Sequence, residues 1–196
     1  MKHLRNIYEC PIAILGLGYV GLPLLFEFSK RNGSKFQNQI VNRKIIGFDI
    51  NIKRIRDLKK NFDNTGEINS SEFSNLKNTI FTSDLSLLSQ ANVFIITVPT
   101  PINENNNPDF SPLINASKTI GKIIKKQKIS EDFICPIIIY ESTVYPGAME
   151  EVCVPVLEEY SNLKYNKDFF LGYSPERINP GDNTKKLTDI MKLTSG

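Results

Sequence analysis

The sequence predicts an α/β fold, a doubly wound and mainly parallel sheet with helices on both faces. Two observations carry this. Short apolar runs rich in β-branched residues alternate with segments of helical spacing from near the start of the chain to its end. Several of the intervening segments are long enough for a right-handed crossover, which brings the next strand in parallel to the last.

Pro11–Leu15 is the first strand, ending in glycines. Val20–Lys30 has helical spacing, tolerates Pro23 in its first turn, and stops near Gly33. The polar stretch Ser34–Arg43 reads as a long loop into a second strand, Lys44–Phe48, with Asp49 at its end. Ile52–Lys60 is a short polar helix, and Thr79–Thr82 a brief third strand. The segment Asn61–Asn78 between them is polar and poorly patterned, and no element is assigned to it. Asn92–Val98 is uncharged and β-branched, a buried strand. Asn103–Asn107 is a loop. Ser111 and Pro112 then open a helix to about Gln127, with the serine as N-cap and the proline in the first position. Cys135–Tyr140 is the next strand, Gly147–Tyr160 a helix bent by Pro155, and Asp168–Tyr173 and Ile190–Ser195 the final strands.

Composition excludes several classes of function. Apolar residues make up 40% and charged residues 23%, the profile of an ordinary folded domain. A net charge of +3 is too mild to argue for nucleic acid. Lys122, Lys125, Lys126 and Lys128 have no interleaved aromatics, so they read as a solvated helix face. No apolar run reaches membrane-spanning length, and the first ten residues lack a signal-peptide core. Cys10, Cys135 and Cys153 form no CxxC pair, and no metal site is expected; reduced thiols fit a cytoplasmic protein. The single histidine, His3, lies at the terminus, which argues against His-dependent dehydrogenases and Ser-His-Asp hydrolases.

Gly16-Leu17-Gly18-Tyr19-Val20-Gly21 is a GxGxxG placed directly after a strand and directly before a helix. That is the Rossmann arrangement. Gly16 allows the tight turn, Gly18 lets the backbone approach a pyrophosphate, and Gly21 lets helix and strand pack closely. The helix N-terminus supplies amide donors and a positive dipole end. Asp49 follows Gly21 by 28 residues, a longer spacing than usual, with the surplus in Ser34–Arg43. A carboxylate there accepts from both ribose hydroxyls and repels a 2′-phosphate, which favours NAD over NADP; Arg54 nearby could soften that preference. Methyltransferases also combine a glycine-rich first turn with an acid ending the second strand, but the strict spacing here argues against them.

The stretch ILGLGYVGLPLL resembles the opening of the UDP-glucose/GDP-mannose dehydrogenase family. Four further stretches fall in that family's order: FDINIKR (48–54), TVPTP (97–101), YESTVYPG (140–147) and YSPERINPGD (173–182). The forms YESTVYPG and SPERINPG look closer to the branch that oxidises UDP-N-acetylhexosamines for surface-polysaccharide synthesis. The resemblance implies oxidation of the C6 hydroxymethyl of a nucleotide sugar to a carboxylate with two NAD+, through a cysteine thiohemiacetal and thioester. It implies that Gly16, Gly18, Tyr19, Val20, Gly21, Asp49 and Arg54 hold the adenosine and pyrophosphate. Val98, Pro99 and Thr100 would line the cofactor, and Ser142 and Thr143 would meet it, with Thr143 near a catalytic water. Glu176 would be the acidic residue at the active site, and Arg177, Ile178 and Asn179 would touch the sugar with it. All these stretches fall at predicted strand C-termini, where ligands bind in open parallel sheets.

The plainer readings stand beside these. Glu176 could cap a surface turn, Ser142 and Thr143 could cap the next helix, and Glu141 could face either the site or a partner subunit. Tyr160 and Lys164 form a Tyr-x-x-x-Lys, the pair of short-chain dehydrogenases, but the lysine falls in a polar linker. The resemblance places the catalytic cysteine, a central dimerisation helix and a UDP-sugar domain beyond residue 196, so the whole chain is expected to be one NAD-binding domain without complete turnover. A homodimer is expected for the full-length protein. A different Rossmann oxidoreductase of the β-hydroxyacid dehydrogenase type, and a non-catalytic NAD-binding module, remain the alternatives.

Overall fold

The computed structural model describes residues 6–102, 107–131, 133–175 and 194–195. In chain order the elements are β1 (Ile12–Leu15), α1 (Gly21–Arg31), β2 (Lys35–Phe36), β3 (Gln39–Ile40), β4 (Ile45–Phe48), α2 (Ile52–Lys59), β5 (Thr79–Thr82), β6 (Val93–Ile96), α3 (Ser111–Gln127), β7 (Ile137–Tyr140), α4 (Val154–Ser161) and β8 (Phe170–Tyr173). Short 3-10 segments at Ser70–Asn75 and Leu85–Gln90 join the helical connections.

Six strands make one sheet in the order β5-β4-β1-β6-β7-β8, parallel at each of its pairings. The order runs outward from β1 in one direction and then, from β6, in the other. The chain therefore leaves a crevice between the C-terminal ends of β1 and β6, the switch point at which doubly wound sheets bind ligands.

Both faces of the sheet are covered, which is why its strands read as unbroken apolar runs. In β1, Ala13 and Leu15 face a cluster with Leu113, Ile120, Ile124 and Leu157 from α3 and α4. Ile12 and Ile14 face the other side, against Leu22, Leu25 and Phe26 of α1 and Ile55 and Leu58 of α2. The period-two alternation of a strand thus divides one short run between two cores.

Three details depart from the sequence expectations, and a fourth expectation lies largely outside the described residues. The stretch expected as a plain loop over Ser34–Arg43 contains a small antiparallel hairpin, β2–β3, its turn made by Gln37 and Asn38 at positive φ. Ser111 is not the cap of α3: it is the first helical residue, its amide donates to Asp109 Oδ1 at 2.8 Å, and Phe110 holds the cap position without a side-chain bond. The carboxylate of Asp109, two residues before the first helical residue, thus satisfies that residue's amide in place of a serine cap. The helix expected over Gly147–Tyr160 is divided, with a π-helical turn at Met149–Cys153 and α4 starting at Val154. Pro155 has no N–H to donate backward, so the register widens just before it, with the Val154 amide reaching the Met149 carbonyl. Ser195 bridges Tyr173 antiparallel, while residues 190–193 of the expected last strand lie outside the described residues.

Candidate functional site

The glycine turn leaves β1 with its backbone held on both sides. The Gly16 amide donates to the Phe48 carbonyl at 2.9 Å. Gly16 has φ +95°, and a Cβ there would stand 2.9 Å from the Thr97 carbonyl oxygen. A Cβ on Gly21 would overlap the Gly16 carbonyl oxygen and the Thr97 hydroxyl. These two glycines are required by the fold itself. Gly18 differs: a Cβ added there meets nothing within 4 Å among the described residues. Among the described residues no packing reason exists for glycine at that position, so the space beside it is free for a ligand. The helix that follows carries no acid in its first turn and no side-chain cap at Val20, which leaves its dipole end available to an anion. Tyr19 is 43% exposed at the same turn, whereas Val20 is buried.

Thr97 clamps this arrangement. Its hydroxyl lies 3.0 Å from the Leu15 carbonyl and 2.6 Å from that of Gly16, across from β6 to β1. The sequence reading started its cofactor residues one position later, at Val98. The available signal was a hydroxyl residue ending an otherwise apolar strand. Thr97→Val keeps the shape but removes the hydroxyl donor from the Gly16 carbonyl, while the Leu15 carbonyl keeps the Thr97 amide at 2.9 Å, and is expected to cost about 1–3 kcal/mol of stability in urea unfolding. An unchanged midpoint would show that the clamp contributes nothing.

Asp49 stands at the end of β4, half-buried. Its Oδ2 accepts from the Leu17 amide at 2.9 Å and its Oδ1 from the Asn51 amide at 2.8 Å. It lines a cavity of about 220 Å³ together with Leu17, Gly18, Lys53, Arg54 and Thr65. Arg54 belongs to this wall but is buried. Its Nε donates to the Leu17 carbonyl at 2.7 Å and one Nη to Asp63 at 2.7 Å. Asp63 was not singled out in the sequence, because the run around it has no periodicity. Burial would push its carboxyl up. Hydrogen bonds from the Thr65 hydroxyl and amide, from Arg54 and from the Ile68 amide outweigh burial and hold it below the ordinary carboxylate value.

The loops after β6 and β7 are tied to each other. The Ser142 hydroxyl, buried, donates to the Val98 carbonyl at 2.6 Å. The Thr100 hydroxyl donates to the Thr143 carbonyl at 2.9 Å. Thr143 and Pro99 are exposed beside them. Phe110 and Tyr145 bring their rings to 5.7 Å across the same two loops. The structure therefore brings the glycine turn, Asp49, Arg54, Val98–Thr100 and Ser142–Thr143 to one end of the sheet. Glu141 is buried next to them, its amide bonded to the Ile96 carbonyl at 2.8 Å. Glu176, Arg177, Ile178 and Asn179 lie outside the described residues.

The Tyr160/Lys164 pair does not share a helix face. α4 ends at Ser161, and Lys164 turns back to Glu158 at 2.9 Å. The three cysteines are buried, as expected for structural residues. Burial pushes the Cys153 thiol up, away from nucleophilic character. Among the described residues no helix is long and apolar enough to cross a membrane.

Comparison with known proteins agrees with this arrangement. Residues 10–194 match the model of the UDP-glucose/GDP-mannose dehydrogenase family, NAD binding domain. The chain is 50% identical to the UDP-N-acetyl-D-glucosamine 6-dehydrogenase of Pseudomonas aeruginosa over 96% of its length, and 47% identical to that of Salmonella typhi over 97%. It spans 40% of each of those proteins. Among solved structures, the UDP-D-ManNAc dehydrogenase of Pyrococcus horikoshii superposes with a TM-score of 0.69 at 29% identity, over 87% of this chain and 37% of that one.

Proposed function

The chain belongs to the UDP-glucose/GDP-mannose dehydrogenase family as its NAD-binding domain, and from that premise we propose that it is the cofactor half of a UDP-N-acetylhexosamine 6-dehydrogenase. The full enzyme would convert the C6 hydroxymethyl of the sugar to a carboxylate, supplying a surface-polysaccharide precursor. That is a four-electron oxidation. It consumes one water and two NAD+, and releases two NADH and three protons. The 47–50% identity to the two UDP-N-acetyl-D-glucosamine 6-dehydrogenases supports the choice of sugar class.

The open space at Gly18, beside an uncapped helix, is the observation that carries the cofactor reading. The residues present fit a dinucleotide. The backbone of Gly16–Gly21 and the start of α1 would receive the pyrophosphate. Asp49 would accept from the ribose hydroxyls, and its two backbone hydrogen bonds hold it in place for that. Val98–Thr100 would form the wall next to the nicotinamide, which accepts a hydride when bound. Ser142 would fix that wall through the Val98 carbonyl. Thr143, exposed beside it, would orient the water of the second step, with Glu176 as the acid–base group and Arg177, Ile178 and Asn179 on the sugar. The sulfur nucleophile and the uridine pocket are assigned to the remainder of the full-length enzyme, since the three thiols here are buried. Residues 1–196 would thus supply the NAD+ site of that enzyme.

Thermal unfolding tests this. NAD+ at a hundred times its dissociation constant adds about 2.7 kcal/mol, which for a domain of this size raises Tm by about 5–10 °C. NADP+ at the same concentration is expected to give little shift, and Asp49→Ala to abolish the shift with NAD+. A chain that unfolds at the same temperature with and without NAD+ would sink the reading.

A further inference from the structure

The wall of the Asp49 cavity holds a charge pair that the proposed cofactor contacts do not use. Arg54 and Asp63 meet at 2.7 Å with side chains 6% and 0% exposed. Other ion pairs, such as Lys30–Glu27 and Lys164–Glu158, have lysines 44% and 69% exposed. Each nitrogen of the guanidinium has a partner: Nε the Leu17 carbonyl, one Nη both Asp63 and the Asn64 amide oxygen, and the other Nη, at 3.5 Å, the Thr65 hydroxyl. Asp63 in turn organises the loop that closes this side of the cavity. It accepts from the Thr65 amide and hydroxyl at 3.0 and 2.7 Å, and from the Glu67 and Ile68 amides at 3.0 Å each. One buried carboxylate therefore fixes both the arginine and the loop against the glycine turn.

The consequence is electrostatic. Asp49 and Asp57 also line the cavity, and both are carboxylates. The remaining lining cation, Lys53, is exposed, so its ammonium stays hydrated and screened. A guanidinium is the side chain best matched to a phosphate, through paired N–H donors. The cavity has one, and its charge is already matched.

We propose that Asp63 sets the cofactor choice of this site, by holding Arg54 in the glycine turn and so withholding from the ribose end the guanidinium that a 2′-phosphate would need. Asp63 acts here as a positioning residue, and the inference rests on the NAD+ reading above. Asp49 repels the 2′-phosphate directly, and Asp63 removes the group that would offset the repulsion.

The test is isothermal titration of NAD+ and NADP+ into the chain and its variants, with circular dichroism to show that each is folded. Asp63→Asn keeps the size of the side chain and frees the arginine's charge. It is expected to raise the affinity for NADP+ relative to NAD+ by about tenfold or more, the value of one charge-assisted hydrogen bond. The gain should persist in Asp63→Asn/Lys53→Ala and vanish in Asp63→Asn/Arg54→Gln. A merely structural pair would weaken both cofactors alike and leave their ratio unchanged, and that result overturns the proposal; so does a gain that depends on Lys53. If Asp63→Asn does not fold, Asn64→Ala removes an exposed acceptor from the same guanidinium. It should raise the ratio by about two- to threefold, as a partial release, and an unchanged ratio there also overturns the proposal. Failure of the parent chain to bind NAD+ is seen before any variant is made, and identifies the cofactor reading as the error, with this inference falling alongside it.

Discussion

Gly18→Ala is expected to leave the fold intact and to lower NAD+ affinity about a hundredfold, a loss of about 2.7 kcal/mol of binding. The fold should tolerate the change because the new methyl meets no atom of the described residues within 4 Å. Replacing glycine at a position whose backbone suits alanine also narrows the unfolded ensemble, which can add about 0.4–1 kcal/mol of stability. Binding should suffer because the methyl would occupy the approach of the pyrophosphate to the backbone. Urea unfolding and titration of NAD+ on the same variant measure the two effects separately. Full NAD+ affinity in Gly18→Ala would mean that the cofactor does not pass the turn at this point.

Gly21→Ala is expected to do the opposite, acting on the fold first. Its methyl would overlap the Gly16 carbonyl and crowd the Thr97 hydroxyl. The first of these is a backbone atom held in a tight turn, so no rotamer change relieves the overlap. Helix α1 would have to draw back from β1, where Leu22, Leu25 and Phe26 are packed with 1% exposure or less. Overpacking of this kind costs about 1–3 kcal/mol, and more when backbone must move. A drop of about 3 kcal/mol or more in unfolding free energy, with loss of NAD+ binding in consequence, is the expected result. A Gly21→Ala chain as stable as the parent would show that the helix can shift at no cost. The two variants lie three residues apart in one motif, and they separate a glycine needed by the ligand from a glycine needed by the fold.

Much of the fold was legible because its signals are local. The sheet strands are short apolar runs, and α1 and α3 carry their periodicity within a single segment. The elements that were missed depend on particular distant partners or on competition between neighbours. The cap position of α3 fell to Phe110 because the carboxylate of Asp109, two residues before the first helical residue, reached the Ser111 amide. The π-helical turn before α4 arises where the missing N–H of Pro155 meets a helix already started at Met149. The 3-10 segment at Ser70–Asn75 lies in a run without periodicity, closed by a capping box of Asn69 and Glu72 and anchored by the buried Phe73.

The amino-acid sequence by itself determined the chemistry that this chain can offer: a strand, a glycine turn and a helix in succession, an acid at the end of the next strand, and the spaced motifs that place it in its family. Those features are written in residue types and short spacings, so they survive without coordinates. The tertiary structure decided which residues share the site and in what state. It set Thr97 against the two carbonyls of the glycine turn, joined the loops after β6 and β7 through Ser142 and Thr100, and turned Arg54 from an available cation into the buried partner of Asp63. These contacts link positions up to 82 residues apart. Such pairings are fixed by how the sheet orders its strands and by which buried charge must find a partner, and neither is encoded within any one segment of the chain.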